Sequence, residues 1–466
     1  MQHGSLSGPT ALLSWLLALA CTVAVTTASL DAQPQALLEI RDGFGNGAEV
    51  LADWNISVDA NYCGWMGVQC TTAGDITTLN LTGLGLQGTI PSAGWSQLVS
   101  LQSLSLESNS LLGTIPWTFP AGLKKLVLSS NALSGSLPQY LPESLLNLQA
   151  ANNKLRGPLP AQLPPRLQAL FLFNNSIGGT IPSAWARMPS MRLWSLHDNA
   201  LTNHFPMDLP PQLEELALGG NRIWGAIFDT DWRLPRTLRK LLLQDNLLTG
   251  TIPCCIDFPS TLTDLFLGGN PINGTMPVGL WELPASLDRF YLGNTQLWGS
   301  IPADIAWPSN LTELDFSRNR HLTGSLPTGW ELPSTLQVLR LGGCNLTGTI
   351  PADLGAGTSL RELYLDQNKY LGGPISPAWV ESLPESLRVL NLYLNDLTGT
   401  LPANWHLPHL ITMWLAMNRL TGTRWVKLGD NVGPCGQVWN KVALPEKQIG
   451  GLHRCVVEGA AAAQED

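Results

Sequence analysis

Leu104-Ser-Leu106-Glu-Ser-Asn109-Ser-Leu111-Leu-Gly113-Thr-Ile115-Pro116 reads as L-x-L-x-x-N-x-L-x-G-x-I-P. The frame returns at Asn131, Asn153, Asn175, Asn199, Asn221, Asn246, Asn270, Asn319, Asn368, Asn395 and Asn418. At Leu84, Thr295 and Cys344 it holds with the Asn replaced. That makes about fifteen units at a spacing of roughly 22–27 residues, the mark of a stacked repeat array. After Asn319 and Asn368 one extra residue precedes the next Leu, so a local bulge is expected at both.

In L-x-L the two Leu share one face of a short strand, and the residue between them takes the other. Strands of successive units stack about 4.8 Å apart into a parallel sheet, apolar face inward. The Asn falls where the chain leaves the strand; there a buried amide satisfies turn groups that no ladder reaches. Gly permits a tight path, and Ile-Pro closes a second extended segment. The return carries Leu-Pro pairs, as at Leu141-Pro142, Leu234-Pro235 and Leu383-Pro384, with Leu again three residues after each Pro. At Leu407-Pro408 that Leu is Leu410, one residue nearer. Proline there predicts 3₁₀ or polyproline pieces with few full helices.

The array ends in two Cys-bearing segments. The first contains Asp53-Trp54-Asn55 and Cys63-Gly64-Trp65-Met66-Gly67-Val68-Gln69-Cys70; the second contains Cys435 and Cys455. With the G-x-I-P endings and the C-x-W-x-G-V-x-C spacing, the chain resembles plant-type extracellular leucine-rich-repeat proteins. Receptor ectodomains and polygalacturonase-inhibitor-like proteins are among them. The resemblance implies an α/β solenoid, a right-handed leucine-rich-repeat superhelix. It has a parallel concave sheet, a mostly irregular or 3₁₀ convex side and disulfide-capped ends. Each Cys pair is read as a local disulfide; a metal site needs its ligands in one place, and these pairs lie at opposite ends of the array. Cys344 sits in an Asn position and reads as a buried thiol. A vicinal Cys254–Cys255 bridge is strained and disfavoured.

The 466 residues carry a net charge of −9, and only 13% are charged. That balance, without Lys/Arg blocks, speaks against a nucleic-acid or anionic-membrane binder. Thr10 to Thr26 is an apolar run of about fifteen residues, short of the ~20 that span a bilayer, and Thr26-Thr27-Ala28 follow it. The expected organisation is a signal peptide at 1–28, an N-terminal cap at 29–75, the array at 76–423, and a C-terminal cap and tail at 424–466. The expected location is extracellular or in the cell wall, the alternative being retention by an uncleaved anchor. Asn55, Asn80, Asn174, Asn273, Asn310 and Asn345 are N-x-S/T acceptors.

Catalytic signatures are missing: there is no nucleophile elbow, phosphate loop or H-E-x-x-H. His197-Asp198 is sequential, and such neighbours are expected to point apart. No cofactor or metal is expected. Trp95, Trp185, Trp232, Trp281, Trp307, Trp330, Trp379 and Trp405 follow the I-P segment and read as packing on the return. Thr89, Thr114, Ser136, Thr180, Thr251, Thr275, Ser300, Ser325, Thr349 and Thr400 recur between Gly and the apolar position, with His204, Ala226, Pro158 and Pro374 interrupting. The outward column between the ladder Leu residues begins with the bland Asn80, Ser105, Val127, Gln149 and Ser195. It later reads Phe266, Tyr291, Asp315, Arg340, Tyr364, Asn391 and Trp414, aromatic and Arg-bearing as binding hot spots are. Phe171 and Phe173 form a smaller patch beside Asn174.

The expectation is a secreted, non-enzymatic module that binds a protein, peptide or carbohydrate ligand on its concave face. One rival is an ice- or polysaccharide-surface binder using the Thr/Ser column. The other is an intracellular or ciliary scaffold.

Overall fold

The computed structural model describes residues 32–228, 233–253, 256–277, 282–402 and 407–421. The leader, Cys254, Cys255, Cys435, Cys455, Trp232, Trp281 and Trp405 lie outside them. The chain forms two compact units, Met1–Leu201 and Thr202–Asp466.

The first unit opens with a helix at 32–43 that buries Ala36, Leu37 and Ile40. The strand Val68–Cys70 then pairs antiparallel with Ile76–Asn80. Ser103–Ser105, Lys125–Val127, Asn147–Gln149, Ala169–Phe171 and Leu193–Ser195 continue in parallel, each in register with the last. In the second unit Glu215–Ala217, Lys240–Leu242, Asp264–Phe266, Arg289–Tyr291, Glu313–Asp315, Val338–Arg340, Glu362–Tyr364, Val389–Asn391 and Thr412–Trp414 do the same. Leu216, Leu241, Leu265, Phe290, Leu314, Leu339, Leu363, Leu390 and Met413 stand opposite one another along that stack, all buried. The fold class expected from the repeat is the one found.

Three residues past most main-sheet strands the chain turns through a residue of left-handed conformation, Gly83, Gly220, Gly269 and Gly343 at four of them and a non-Gly residue elsewhere. The non-Gly residue is Ser108, Ser130, Asn152, Asn174, Asp198, Asp245, Asn294, Arg318, Gln367, Leu394 or Met417, with φ between 54° and 60°. This corner swings the next side chain inward, where the ladder Asn bonds two repeats together. Asn246 Nδ2 donates to the carbonyls of Leu218 (3.0 Å), Leu243 (3.1 Å) and Gln244 (3.3 Å), while its Oδ1 accepts from Ile223 N (3.0 Å). Asn319 and Asn368, both fully buried, bear the expected extra residue. Leu322 N and Leu371 N turn back onto their carbonyls at 2.9 and 2.8 Å.

The Leu-Pro return is a run of tight turns. Leu145, Leu167, Leu213, Leu238, Leu287, Leu336 and Leu387 each donate N–H to the carbonyl of the Pro three residues earlier, at 2.9–3.1 Å. Pro stands at the first position of each turn, the two residues after it make the bend, and the i+3 Leu drops into the core. At the irregular Leu410 the carbonyl is that of Leu407 instead. The residue before the inward Leu is Ser or Thr at Ser144, Thr237, Ser286, Thr335 and Ser386. Its hydroxyl donates to a carbonyl of the preceding repeat, as Ser144 does to Leu123 O at 2.7 Å and Ser286 to Leu262 O at 2.6 Å. Helix on the return is sparse among the described residues: 3₁₀ turns at Trp95–Gln97 and Ser183–Arg187, and one α-helix at Pro377–Ser382. Trp95, Trp185 and Trp379 are wholly buried there. Their indole N–H groups donate to Pro91 O, Pro160 O and Leu354 O.

Cys63 and Cys70 are disulfide-bonded, with Cα atoms 5.7 Å apart. Trp54 and Trp65 stack beside the bridge at 6.2 Å, and the Asp53 carboxylate accepts the Met66 N–H at 2.5 Å. Closing so short a loop contributes about 2–3 kcal/mol. Cys63→Ser/Cys70→Ser should lose that much in urea denaturation, and unreduced peptides should show 63 linked to 70; free thiols at both would contradict it.

Cys344 takes the Asn position as a buried thiol, its Sγ 3.4 Å from Phe316 O. Burial pushes the thiol up to about 12. Since the thiolate is the nucleophile, native Cys344 should resist iodoacetamide at pH 8 and react once the chain is unfolded. Peptide mapping that finds it alkylated in the native protein would contradict the placement.

Candidate ligand-binding face

The register of the main sheet in the second unit places Phe266, Tyr291, Asp315, Arg340, Tyr364, Asn391 and Trp414 in one row, each opposite the next. The row is half-buried, where the sequence suggested free surface, and four of its members lie on one another in pairs. The rings of Phe266 and Tyr291 stack at 4.1 Å with 9° between planes. The Arg289 guanidinium lies 5.2 Å from the Phe266 centroid and that of Arg340 lies 5.4 Å from Tyr364. Tyr291 Oη donates to Glu313. Burial, then that carboxylate, pushes the Tyr291 phenol up to about 12. Tyr364 is raised too, again chiefly by burial. Both phenols stay protonated through the physiological range, held beside the carboxylates of Glu313 and Glu362.

A second column lies two residues earlier on each strand; from sequence only its acids Glu313 and Glu362 stood out, with Asp366, as flanking groups that favour a basic or hydroxyl-rich ligand. The column reads Glu215, Lys240, Asp264, Arg289, Glu313, Val338 and Glu362, with signs alternating over its first five members. Lys240 pairs with Glu215 at 3.3 Å, and Arg289 pairs with Asp264, which is 3% exposed. Arg340 reaches Glu362 at 3.1 Å and Glu313 at 3.7 Å. Asp315 does not pair with Arg340; its carboxylate accepts the Ser317 N–H at 2.8 Å. Around Arg340, then, Glu313, Glu362, Asp315 and Asp366 leave negative charge in excess. The rotamers of the row are locked by stacking and ion pairs, so little side-chain freedom remains to be lost on binding.

In the first unit the column is plainer, and Val127 and Ser195 are buried. His197 and Asp198 do not point apart. Asp198 has φ 54°, and that corner turns its carboxylate back to His197 Nδ1 at 2.8 Å. His197 also stacks on Phe173 at 4.6 Å. Gln244, nominally outward, is half-buried across Gly219. Among the candidate glycan acceptors, Asn80, Asn174, Asn273 and Asn310 are exposed, while Asn55 and Asn345 are partly buried. Asn345 Nδ2 is bonded to Arg320 O at 2.5 Å.

The Thr/Ser column lies exposed on a second set of parallel strands, but it is no straight ladder. Pairing there slips by two residues per strand: Thr89 stands opposite Leu112, Thr251 opposite Asn273 and Ser325 opposite Thr347. The Thr instead caps the Gly of the following repeat. A Cβ on Gly113 would lie 2.9 Å from Thr89 Cγ2, and one on Gly135 would lie 2.8 Å from Thr114 Cγ2. With φ of 80° and 76° these two positions demand glycine twice over. No group of three or more potential metal ligands occurs among the described residues.

Residues 30–71 match the leucine rich repeat N-terminal domain, and 100–121 and 335–356 match the leucine rich repeat. Curated relatives include leucine-rich-repeat receptor-like serine/threonine-protein kinases of Arabidopsis thaliana, RGI3 and RGI4 among them. One is 36% identical over 104 residues, 22% of this chain and 9% of that kinase, so the match spans under a tenth of the relative. Among solved structures, PEPR1–AtPEP1 aligns at TM-score 0.69 and 27% identity, over 84% of this chain and 59% of that one. The plant peptide hormone receptor RGFR1 in complex with RGF2 aligns at 0.56 and 28%, over 72% and 62%. A plant ice-binding protein aligns at 0.51 and 31%, over 59% of this chain and 89% of that one. The chain thus carries the leucine rich repeat N-terminal domain and leucine rich repeats, and its fold is the leucine-rich-repeat solenoid of plant receptor ectodomains.

Proposed function

We propose that this chain is a secreted, non-enzymatic recognition module that binds an extracellular peptide across the main sheet of its second unit. The observation that carries this is the pre-ordered row Phe266, Tyr291, Arg340 and Tyr364. It offers stacked rings, a guanidinium and two protonated phenols on adjacent strands. An extended peptide laid along the row rises about 3.3 Å per residue and crosses strands about 4.8 Å apart, so every second or third strand meets side chains on its same face. The carboxylate excess around Arg340 favours a ligand with a cationic group there. The likeness to a plant peptide hormone receptor supports a peptide over other partners. No described helix is long and apolar enough to cross a membrane. Immobilised protein should retain a defined peptide from an extracellular extract, identified by mass spectrometry of the eluate. Recovery of no peptide above a bare-matrix control would remove the proposal.

A second reading has its own support. The exposed Thr/Ser column and the likeness to a plant ice-binding protein favour a surface that meets ice or an ordered polysaccharide through hydroxyls.

A further inference from the structure

Among the described residues of the first unit, the two most exposed aromatic rings line the same groove. Trp117 is 74% exposed and Tyr140 is 82% exposed, and both line one open groove of about 520 Å³. They come from consecutive repeats, just past Ile115-Pro116 and Leu137-Pro138. Thr114, Ile115, Ser136, Leu137, Pro138 and Gln139 complete the lining. None of the eight residues carries a charge. Thr114 and Ser136 belong to the exposed hydroxyl column, so the groove continues that face directly. The outward positions leading to it are also uncharged: Gln87 and Thr89, Ser110 and Leu112, Ala132 and Ser134. Charge returns only on the following strand, at Lys154 and Arg156.

Buried aromatic residues need no ligand to explain them, and the return tryptophans are of that kind. Trp117 and Tyr140 differ, for their faces are left to solvent beside polar groups that nothing else uses. The Thr114 and Ser136 hydroxyls and the Gln139 amide have no hydrogen-bond partner among the described residues. The Thr114 methyl is tucked over Gly135, which fixes its side chain.

We propose that this groove binds a sugar unit of an uncharged polysaccharide, with the chain running on over the hydroxyl column. The volume lies within the range of small-ligand sites. Sugar C–H faces pack on flat rings, and Tyr and Trp supply such contact at small conformational cost. Sugar hydroxyls both donate and accept, as do Thr114, Ser136 and Gln139. A charged ligand would surrender hydration here with no counter-charge to replace it. This inference rests on the hydroxyl-surface reading and names its ligand class; it is independent of the peptide row in the second unit.

The test is retention of the full chain on insoluble cellulose and its mobility shift in gels containing mannan or β-1,3-glucan, with polygalacturonate as the acidic control. Wild type should bind at least one neutral glycan and not polygalacturonate. Trp117→Ala/Tyr140→Ala should bind about tenfold more weakly, the loss expected of central hot-spot rings. Trp117→Phe/Tyr140→Phe should keep most of the binding. Thermal melts should be unchanged, because both side chains are exposed. Neutral-glycan binding that survives Trp117→Ala/Tyr140→Ala but falls with Thr89→Val/Thr114→Val/Thr180→Val would overturn the groove and keep the hydroxyl surface. No binding to any neutral glycan by wild type, with or without ice-growth inhibition, overturns the groove proposal. Binding of a proline-rich peptide in the groove in place of glycan would overturn it as well.

Discussion

Asn246→Ala is expected to destabilise the array by about 3–5 kcal/mol, as much as Leu241→Ala. The reason is the number of groups stranded together. The Ile223 N–H and the carbonyls of Leu218, Leu243 and Gln244 all meet this one amide, which is 5% exposed. Each buried group left unmet costs about 1–3 kcal/mol. Leu241→Ala should cost about 2–5 kcal/mol through lost burial and a residual cavity. Gln244→Ala, three residues beyond Leu241, should stay within about 0.5 kcal/mol, as for substitutions away from core features. Its Oε1 makes no hydrogen bond and its amide only lies over Gly219. Urea midpoints of the three variants give the comparison. A Gln244→Ala variant as unstable as Leu241→Ala would mean that the inside and outside faces are exchanged.

Tyr291→Ala/Arg340→Ala/Tyr364→Ala should abolish most ligand binding with little loss of fold, since none of these residues belongs to the inward row. Truncation at the centre of a pre-ordered row costs about 2 kcal/mol or more per hot spot. The three changes together therefore predict at least a hundredfold weaker binding, by the rule of 1.4 kcal/mol per tenfold. Arg340→Ala also leaves Glu313 and Glu362 facing each other without their shared cation. A ligand lacking positive charge should suffer more from that single change than a basic one. Raised salt should weaken a basic ligand and leave a neutral one nearly unaffected.

Much of this architecture can be read from residues alone, for a physical reason. The period-2 alternation of L-x-L fixes which side chains face inward, and the in-register main sheet then converts a column of letters into a row of neighbours. Phe266, Tyr291, Asp315, Arg340 and Tyr364 were placed correctly in that way. The second sheet defeats the same procedure. Its strands slip by two residues per repeat, so Thr above Thr in an alignment becomes Thr89 beside Leu112 in space. The alternating ion pairs were legible in the column Glu215, Lys240, Asp264, Arg289 and Glu313, but only once it was read separately from the aromatic one. His197 and Asp198 were misjudged because a left-handed corner falls on Asp198, a conformation that sequence rules assign to Gly or Asn first. Trp117 and Tyr140 sit one and two residues past Pro116 and Pro138, nearer than Trp95 and Trp185 to their prolines, an offset whose meaning shows only in their solvent exposure.

The most direct test of the peptide reading is calorimetric titration of the peptide recovered by capture against wild type and against Tyr291→Ala/Arg340→Ala/Tyr364→Ala. The row predicts saturable one-to-one binding to wild type and at least a hundredfold loss in a variant that still melts in one cooperative transition. Equal affinity of the folded variant would contradict it and move the ligand off the main sheet of the second unit.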